Sequence, residues 1–412
     1  FMALEIAKGC IETCDAVIIG GGMTGLILAA ALGDAGIAVS VVERSSREKI
    51  LNSKFDGRTT AIAAGSRKAL SAIGAWEGMQ EKASDILDIR ISDGPSSLFL
   101  HFGHADLDEG PLGHIVENRI IRSTLLERLD ELPTVKLNFG CSVKTLERGK
   151  RCAEARLDNG KTLKASVAVA TDGRGSPTRE AAGIGAKQWR YPQIGIVCTV
   201  KHERDHCGVA QEHFLPAGPF AILPMTGRRS SIVWTEKETI APLILELSKK
   251  EFTEELNRRF GDYLGNLKII DPIFSYPLGF LHADQYIMSR LALAGDAAHT
   301  IHPIAGQGLN IGIQDAAALA EIITDAVRLG LDPGSVNVLE SYEQRRRFNN
   351  IMMLAATDGL NRLFSNDITP IRVVRDIGLA MVNKTPPLKR LLMRQAIGVL
   401  GDLPRLIRGE KI

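Results

Sequence analysis

The chain has 412 residues, 45% hydrophobic and 24% charged, which is enough apolar material for a large buried core divided between two lobes. Its 50 Lys+Arg against 48 Asp+Glu leave a net charge of +2, so nothing global points to nucleic acid. The 6 cysteines (10, 14, 141, 152, 198, 207) form no C-x-x-C, which argues against a disulfide scaffold, a zinc site or a redox pair and fits a reducing cytoplasm. No metal site is expected, and Phe1, ahead of Met2, is set aside as foreign to the fold.

Residues 15–44 predict a buried strand, a glycine turn, a helix to Ala35 and a second strand over 38–43. The uncharged run 16–33 is nearly long enough to cross a membrane. It opens with β-branched Val17-Ile18-Ile19, however, breaks at glycines and turns helix-like after Gly25, so strand, turn and helix account for all of it. A helix is expected near 65–73, closed by Gly74, and a hairpin over 86–102 turning at Asp93-Gly94-Pro95. Residues 119–132 carry a helical repeat (Ile120, Leu125, Leu126, Leu129) that stops at Pro133. Short strands follow over 135–170, with turns at Gly149 and Asn159-Gly160, and strand-like alternation returns over 194–236. A helical period occupies 243–264, Leu291-Ala292-Leu293-Ala294-Gly295 is a second buried strand, and 310–329 a long helix. Past Pro333 the chain is mostly helical and increasingly basic, with no repeats or low-complexity tract.

Three glycine-bearing stretches carry the chemistry: Gly20-Gly21-Gly22-Met23-Thr24-Gly25, Thr171-Asp172-Gly173 and Gly295-Asp296-Ala297-Ala298-His299. In the first, Gly20 permits the tight turn, Gly22 the approach of a pyrophosphate, and Gly25 close helix–strand packing. Glu43, 43 − 25 = 18 residues past the last glycine, is placed to accept hydrogen bonds from ribose hydroxyls, with Arg44 beside it. Asp296 follows a buried strand, where its carboxylate can cap the turn and bind ribityl hydroxyls. Beyond it, Gly306 and Gly308 leave backbone bare for a flat ring, and a helix starting near Asn310, with Asn310 as its cap, directs its N-terminus at the flavin N1–C2=O edge. Together the stretches describe one chain wrapping a non-covalent FAD along its length. No second G-x-G-x-x-G exists, so NAD(P)H has no Rossmann domain of its own and must meet the FAD on the FAD lobe.

The expected class is α/β: a discontinuous Rossmann-like FAD-binding lobe (2–75, 112–185, 286–335), an inserted mixed β-sheet substrate lobe (76–111, 186–285) and a C-terminal helical region (336–412). Within the substrate lobe, residues 211–234 offer Phe214, Phe220 and Pro224 as pocket candidates, although core packing explains aromatics equally well.

Residues 299–312, with Phe55-Asp56-Gly57-Arg58-Thr59-Thr60-Ala61 and Ile115-Val116-Glu117-Asn118, resemble the flavin hydroxylases of ubiquinone biosynthesis, the polyprenylphenol or 2-octaprenyl-6-methoxyphenol hydroxylase type. These belong to the para-hydroxybenzoate hydroxylase-like superfamily, and the resemblance runs from Asp15 to the tail at 388–408. It implies that Arg58 and Arg122 contact FAD, that Asp172 serves both FAD and NAD(P)H, and that Arg179 supports the Asp172 turn. Gly295, Asp296, Gly308, Leu309 and Asn310 complete the cofactor set. Many relatives have Gly-Ala or Gly-Cys where this chain has Ala170-Thr171. Arg58 and Arg122 would otherwise read as surface charges, and Asp172-Gly173 as a turn; their order along the chain favours the cofactor reading.

The implied activity is hydroxylation of a polyprenylated phenol with NAD(P)H and O₂ through a flavin C4a-hydroperoxide. No protein nucleophile is required: Pro303, Gly306, Gln307 and Gly308 lie nearest the chemistry, while His299 and His302 order the loop. The alternatives are an isoprenoid reductase on the same scaffold and a non-catalytic flavoprotein. The 369–412 tail holds nine Lys/Arg and three acids, 9 − 3 = +6, beside apolar residues including Ile371, Val374, Leu388, Leu391 and Leu392. Such a surface suits a cytoplasmic protein held peripherally on the anionic inner face of the plasma membrane, or docked on a quinone-synthesising complex. Packing of those faces on the FAD lobe is the competing expectation.

Overall fold

The computed structural model describes residues 10–52, 57–94, 99–107, 109–270, 272–365, 378 and 381–412. Ile11–Ile19 is the central strand of an eight-stranded sheet, paired in parallel with Val39–Glu43 on one side and Thr162–Ala170 on the other. The parallel order continues outward to Val135–Phe139 and to Leu291–Leu293. Both faces of such a sheet are covered, which is why its strands read as unbroken apolar runs. The helix Met23–Asp34 is buried on every side from Gly25 to Gly33, packed by Asn118–Asp130 and Gly308–Arg328. A helix apolar all round is a core helix here, and among the described residues no helix is long and apolar enough to cross a membrane.

A nine-stranded sheet is built around Ala186–His202, which pairs antiparallel with Arg229–Lys237 and Phe274–Ala283. Its far edge is the expected hairpin, Asp88–Asp93 against Phe99–Gly103; Pro95 of the turn lies outside the described residues. The helical stretch near 243–264 divides into Ala241–Leu245 and Lys249–Phe260, the second opened by a capping box in which Ser248 Oγ accepts from Glu251 N and Glu251 returns the bond. Its Phe252, Leu256 and Phe260 pack on Phe220 and Trp234. Phe220 is therefore core, 0% exposed, and not a pocket wall, whereas Phe214 stacks on Phe364 at 4.2 Å and clusters with Ile304 of the glycine loop.

A three-stranded sheet, Thr59–Ala63, Gly113–Glu117 and Ser84–Ile86, stands between the two larger ones. The C-terminal region contains Val336–Phe364, Pro386–Ala396 and Arg405–Arg408. Leu406 and Ile407, 3% and 1% exposed, enter the core of the eight-stranded sheet. Leu388, Leu391 and Leu392 stay at the surface, 39–49% exposed. Ile371 and Val374 lie outside the described residues.

Candidate cofactor site

Two adjoining clefts of about 500 and 480 Å³ run along the ends of the parallel strands and share Gly22, Arg58, Thr171 and Gly173. Glu43, Arg44 and Asp172 line the first; Arg122, Asn118, Asp296, Pro303, Gly306, Gly308 and Leu309 line the second.

The glycine turn has three separate steric reasons. Gly20 sits at φ +111°, and a Cβ there would lie 2.5 Å from the Thr171 carbonyl oxygen. A Cβ at Gly25 would lie 2.1 Å from the Gly20 carbonyl oxygen and 2.6 Å from Thr171 Oγ1, the hydroxyl that donates to Gly20 O at 2.8 Å. At Gly22 a Cβ would meet nothing within 4 Å, because it would point into the open cleft. No side chain caps the Met23–Asp34 helix, so its first N–H groups are left for an anion. Glu43 braces the turn: Oε2 accepts from Gly21 N and Oε1 from Ser45 N, both at 2.8 Å.

Asp172 uses both oxygens locally, accepting from the Ser176 hydroxyl and, at 3.1 Å, from Thr178 N. Arg179, 3% exposed, donates to the carbonyl oxygens of Arg174 and Ala297, both at 3.0 Å, and so ties this turn to the one holding Asp296. Asp296 caps nothing; its carboxylate takes no hydrogen bond among the described residues and faces the cleft. Asp296 is exposed to the cleft, yet the protein crowded around it pushes the carboxyl above its ordinary range, against the pull of His299, Arg174 and Arg58. Arg58 lies over the Tyr276 ring at 5.3 Å.

The glycine loop differs in detail from expectation. The long helix starts at Gly308, so Asn310 is inside it and does not cap it. Asn310, 2% exposed, instead accepts from Ala63 N at 3.0 Å and donates to Ala61 O at 2.8 Å, pinning the strand Thr59–Ala63 to the helix. Gly306 is needed for its φ of +63° and for clearance from Ala61, since a Cβ at Gly306 would lie 3.1 Å from the Ala61 methyl; at Gly308 a Cβ would meet only open space. Gln307 turns away from the cleft and donates to Ala396 O at 3.2 Å.

Behind the loop lies a buried ionic network that sequence patterns did not reveal. Asp315, 0% exposed, accepts from Gly295 N at 3.1 Å, Arg346 Nε at 2.9 Å and Asn350 Nδ2 at 3.1 Å, and its Oδ2 is 2.5 Å from His299 Nε2. Burial alone would push the Asp315 carboxyl up; His299 and Arg346 outweigh it and hold the group well below its ordinary value. The only sequence signal was a charge inside an apolar helix. Thr24 was also missed: it packs against Gly295 and Gly312, whose Cβ positions would lie 2.9 and 2.6 Å from its hydroxyl. His302, 1% exposed, has neither ring nitrogen hydrogen-bonded, and burial pushes its pKa down to about 4. No metal-binding cluster occurs among the described residues.

A strand, glycine turn and helix opening on a cleft, with an acid at the end of the next strand and a second acid across the cleft, define a dinucleotide-binding protein. Residues 13–355 match the FAD binding domain family, and the chain belongs to it. Over 401 residues it is 48% identical to the ubiquinone hydroxylase UbiL of Rhodospirillum rubrum, covering 97% of this chain and 93% of that protein. It is 32% identical to the 3-demethoxyubiquinol 3-hydroxylase of Escherichia coli, covering 94% and 99%. The fold is that of the p-nitrophenol 4-monooxygenase PnpA from Pseudomonas putida, with TM-score 0.76, 22% identity, and 95% and 99% of the two chains covered. The protein is an FAD-dependent flavin monooxygenase.

Proposed function

We propose that the protein hydroxylates the aromatic ring of a polyprenylated phenol in ubiquinone biosynthesis, consuming NAD(P)H and O₂. The observation that carries this reading is the 48% identity with a ubiquinone hydroxylase over nearly the whole chain, supported by two adjoining clefts whose lining from Glu43 to Leu309 suits an FAD. The residues fit that group: open space at Gly22, an uncapped helix N-terminus, and an unpartnered carboxylate at Asp296. Glu43 and Arg44 would hold the adenosine end, Arg58 and Arg122 the middle, and Asp296 the ribityl hydroxyls. Bound FAD would supply electron transfer from NAD(P)H and activation of O₂.

The chain's own work is binding, orientation and exclusion of water. The Gly308–Arg328 helix starts at the cleft without a side-chain cap, so its first N–H groups, at Gly308 and Leu309, would favour negative charge on a bound flavin ring. The parallel sheet and its helices form the FAD lobe in this reading, and the nine-stranded sheet the substrate lobe. The exposed Leu388, Leu391 and Leu392 beside Arg390 and Arg394 support peripheral contact with anionic lipid.

The test is oxygen uptake coupled to NAD(P)H oxidation by FAD-loaded protein. It should rise on adding a prenylated phenol, with a hydroxylated product. NAD(P)H consumption with a reduced isoprenoid product and no oxygen uptake would establish a reductase instead.

A further inference from the structure

Away from the nucleotide clefts, the strand Ala186–His202 and the helix Val336–Phe364 border two hollows of about 580 and 230 Å³ that share Trp189. The Trp189 ring stacks on Phe280, with centroids 3.8 Å apart and planes 6° from parallel. Leu354, 3% exposed, also lines the smaller hollow. The inner end lies one layer of side chains from the flavin loop. Tyr191, which lines the larger hollow, meets His302 edge-on at 5.2 Å, and Ile301 of the same apolar cluster lines the nucleotide cleft.

The outer end opens on an unusual surface. Phe348, Ile351 and Met352 are 67%, 39% and 53% exposed, and Ala355 is exposed as well. Their i, i+3, i+4, i+7 spacing puts them on one helix face, and Ile351 and Ala355 also line the smaller hollow. The polar groups are largely engaged: Arg190 pairs with Glu238 at 3.1 Å, Arg362 with Asp358 at 2.9 Å, and the Tyr191 hydroxyl donates to Asp358 at 2.7 Å.

We propose that this apolar path, from Ile301 and Tyr191 past the Trp189–Phe280 stack to the Phe348–Met352 face, holds the isoprenoid tail of the substrate. The proposal rests on reading the substrate as a prenylated phenol. A ring placed at the flavin loop needs an exit for its tail, and that exit must offer mainly apolar surface, with its polar groups paired to one another. A dinucleotide is the poorer occupant: its pyrophosphate needs cations to pair with, and of those lining the larger hollow Arg190 and Arg362 are already engaged, which leaves Lys237 alone. The exposed stripe gives the protruding tail apolar surface to lie along.

The test uses FAD-loaded enzyme with two substitutions on the exposed helix face, Ala355→Trp to fill the path and Ile351→Glu to charge its mouth. Two probes are compared, a phenol bearing a farnesyl tail and the same phenol without it, with binding read from flavin fluorescence and turnover from oxygen uptake. Each variant should weaken the farnesylated phenol by roughly tenfold or more and leave the bare phenol and the rate of reduction by NAD(P)H within about twofold. Equal weakening of both phenols, or of neither, overturns the proposal, as does a selective loss of NAD(P)H affinity, which would give the groove to the nucleotide. If wild-type enzyme binds neither phenol, the substrate reading itself falls and the tail path with it. Wild-type enzyme that binds both phenols equally sinks the tail path alone.

Discussion

Asp315→Asn removes one charge from the buried network behind the Gly295-Asp296 turn. Arg346 and His299, 3% and 2% exposed, would then face a neutral amide. The amide can keep one carbonyl oxygen toward Arg346 and Asn350, but its N–H₂ then confronts Gly295 N–H, the donor that Asp315 Oδ2 now accepts at 3.1 Å. Breaking a buried ion pair from one side costs about 3–5 kcal/mol, a large part of the roughly 5–15 kcal/mol by which a folded protein is stable. Urea unfolding of the FAD-free protein should show that loss, and FAD affinity by flavin fluorescence should fall because the turn carrying Asp296 loses its anchor.

The pH dependence has a definite sign. The folded carboxyl is held below its ordinary value of 3.8, so the unfolded chain takes up the proton first as pH falls. The contribution is therefore complete above about pH 4 and is lost as pH drops from there toward the folded value. Wild-type stability should decline more steeply below about pH 4 than that of Asp315→Asn. A stability change under about 1 kcal/mol, no more than an exposed pair contributes, would refute the reasoning.

Asp296→Ala should purify largely without flavin colour, because the one unpartnered carboxylate facing the second cleft among the described residues is gone; a fully loaded, normally active variant would remove that role. Asp172→Ala should slow flavin reduction by NAD(P)H in stopped flow more than it weakens FAD retention. Because Asp172 braces Ser176 and Thr178 N, an unchanged reduction rate would return it to a turn residue. For the membrane contact, shortening the chain before Thr369 would also strip Leu406 and Ile407 from the core. Substituting Leu388, Leu391 and Leu392 by Glu is the cleaner perturbation: flotation with anionic vesicles should be lost while FAD content is kept, and equal flotation of both proteins defeats the lipid reading.

The nucleotide-binding half of the molecule was legible in the sequence because its determinants are local. A φ of +111° at Gly20 and the closeness of Gly25 to Gly20 O are demands that a six-residue stretch must satisfy by itself, and only glycine meets them. The β-branched run before it and the acid at the end of the next strand have fixed offsets for the same reason. Asn310 was read as a helix cap because local rules offer nothing better; its partners, Ala61 and Ala63, are about 250 residues away in the chain and become neighbours only when strand and helix pack. Phe214 and Phe220 are indistinguishable by composition, and the Lys249–Phe260 helix decides that one is core while the other faces Phe364 and Ile304. The Asp315 network and the Trp189 groove likewise depend on Val336–Phe364 lying across the earlier elements. Sequence specified the turns, whose geometry is settled within a few bonds; tertiary packing chose the partners of buried polar and aromatic groups, because burial leaves each of them only the neighbours that distant segments bring.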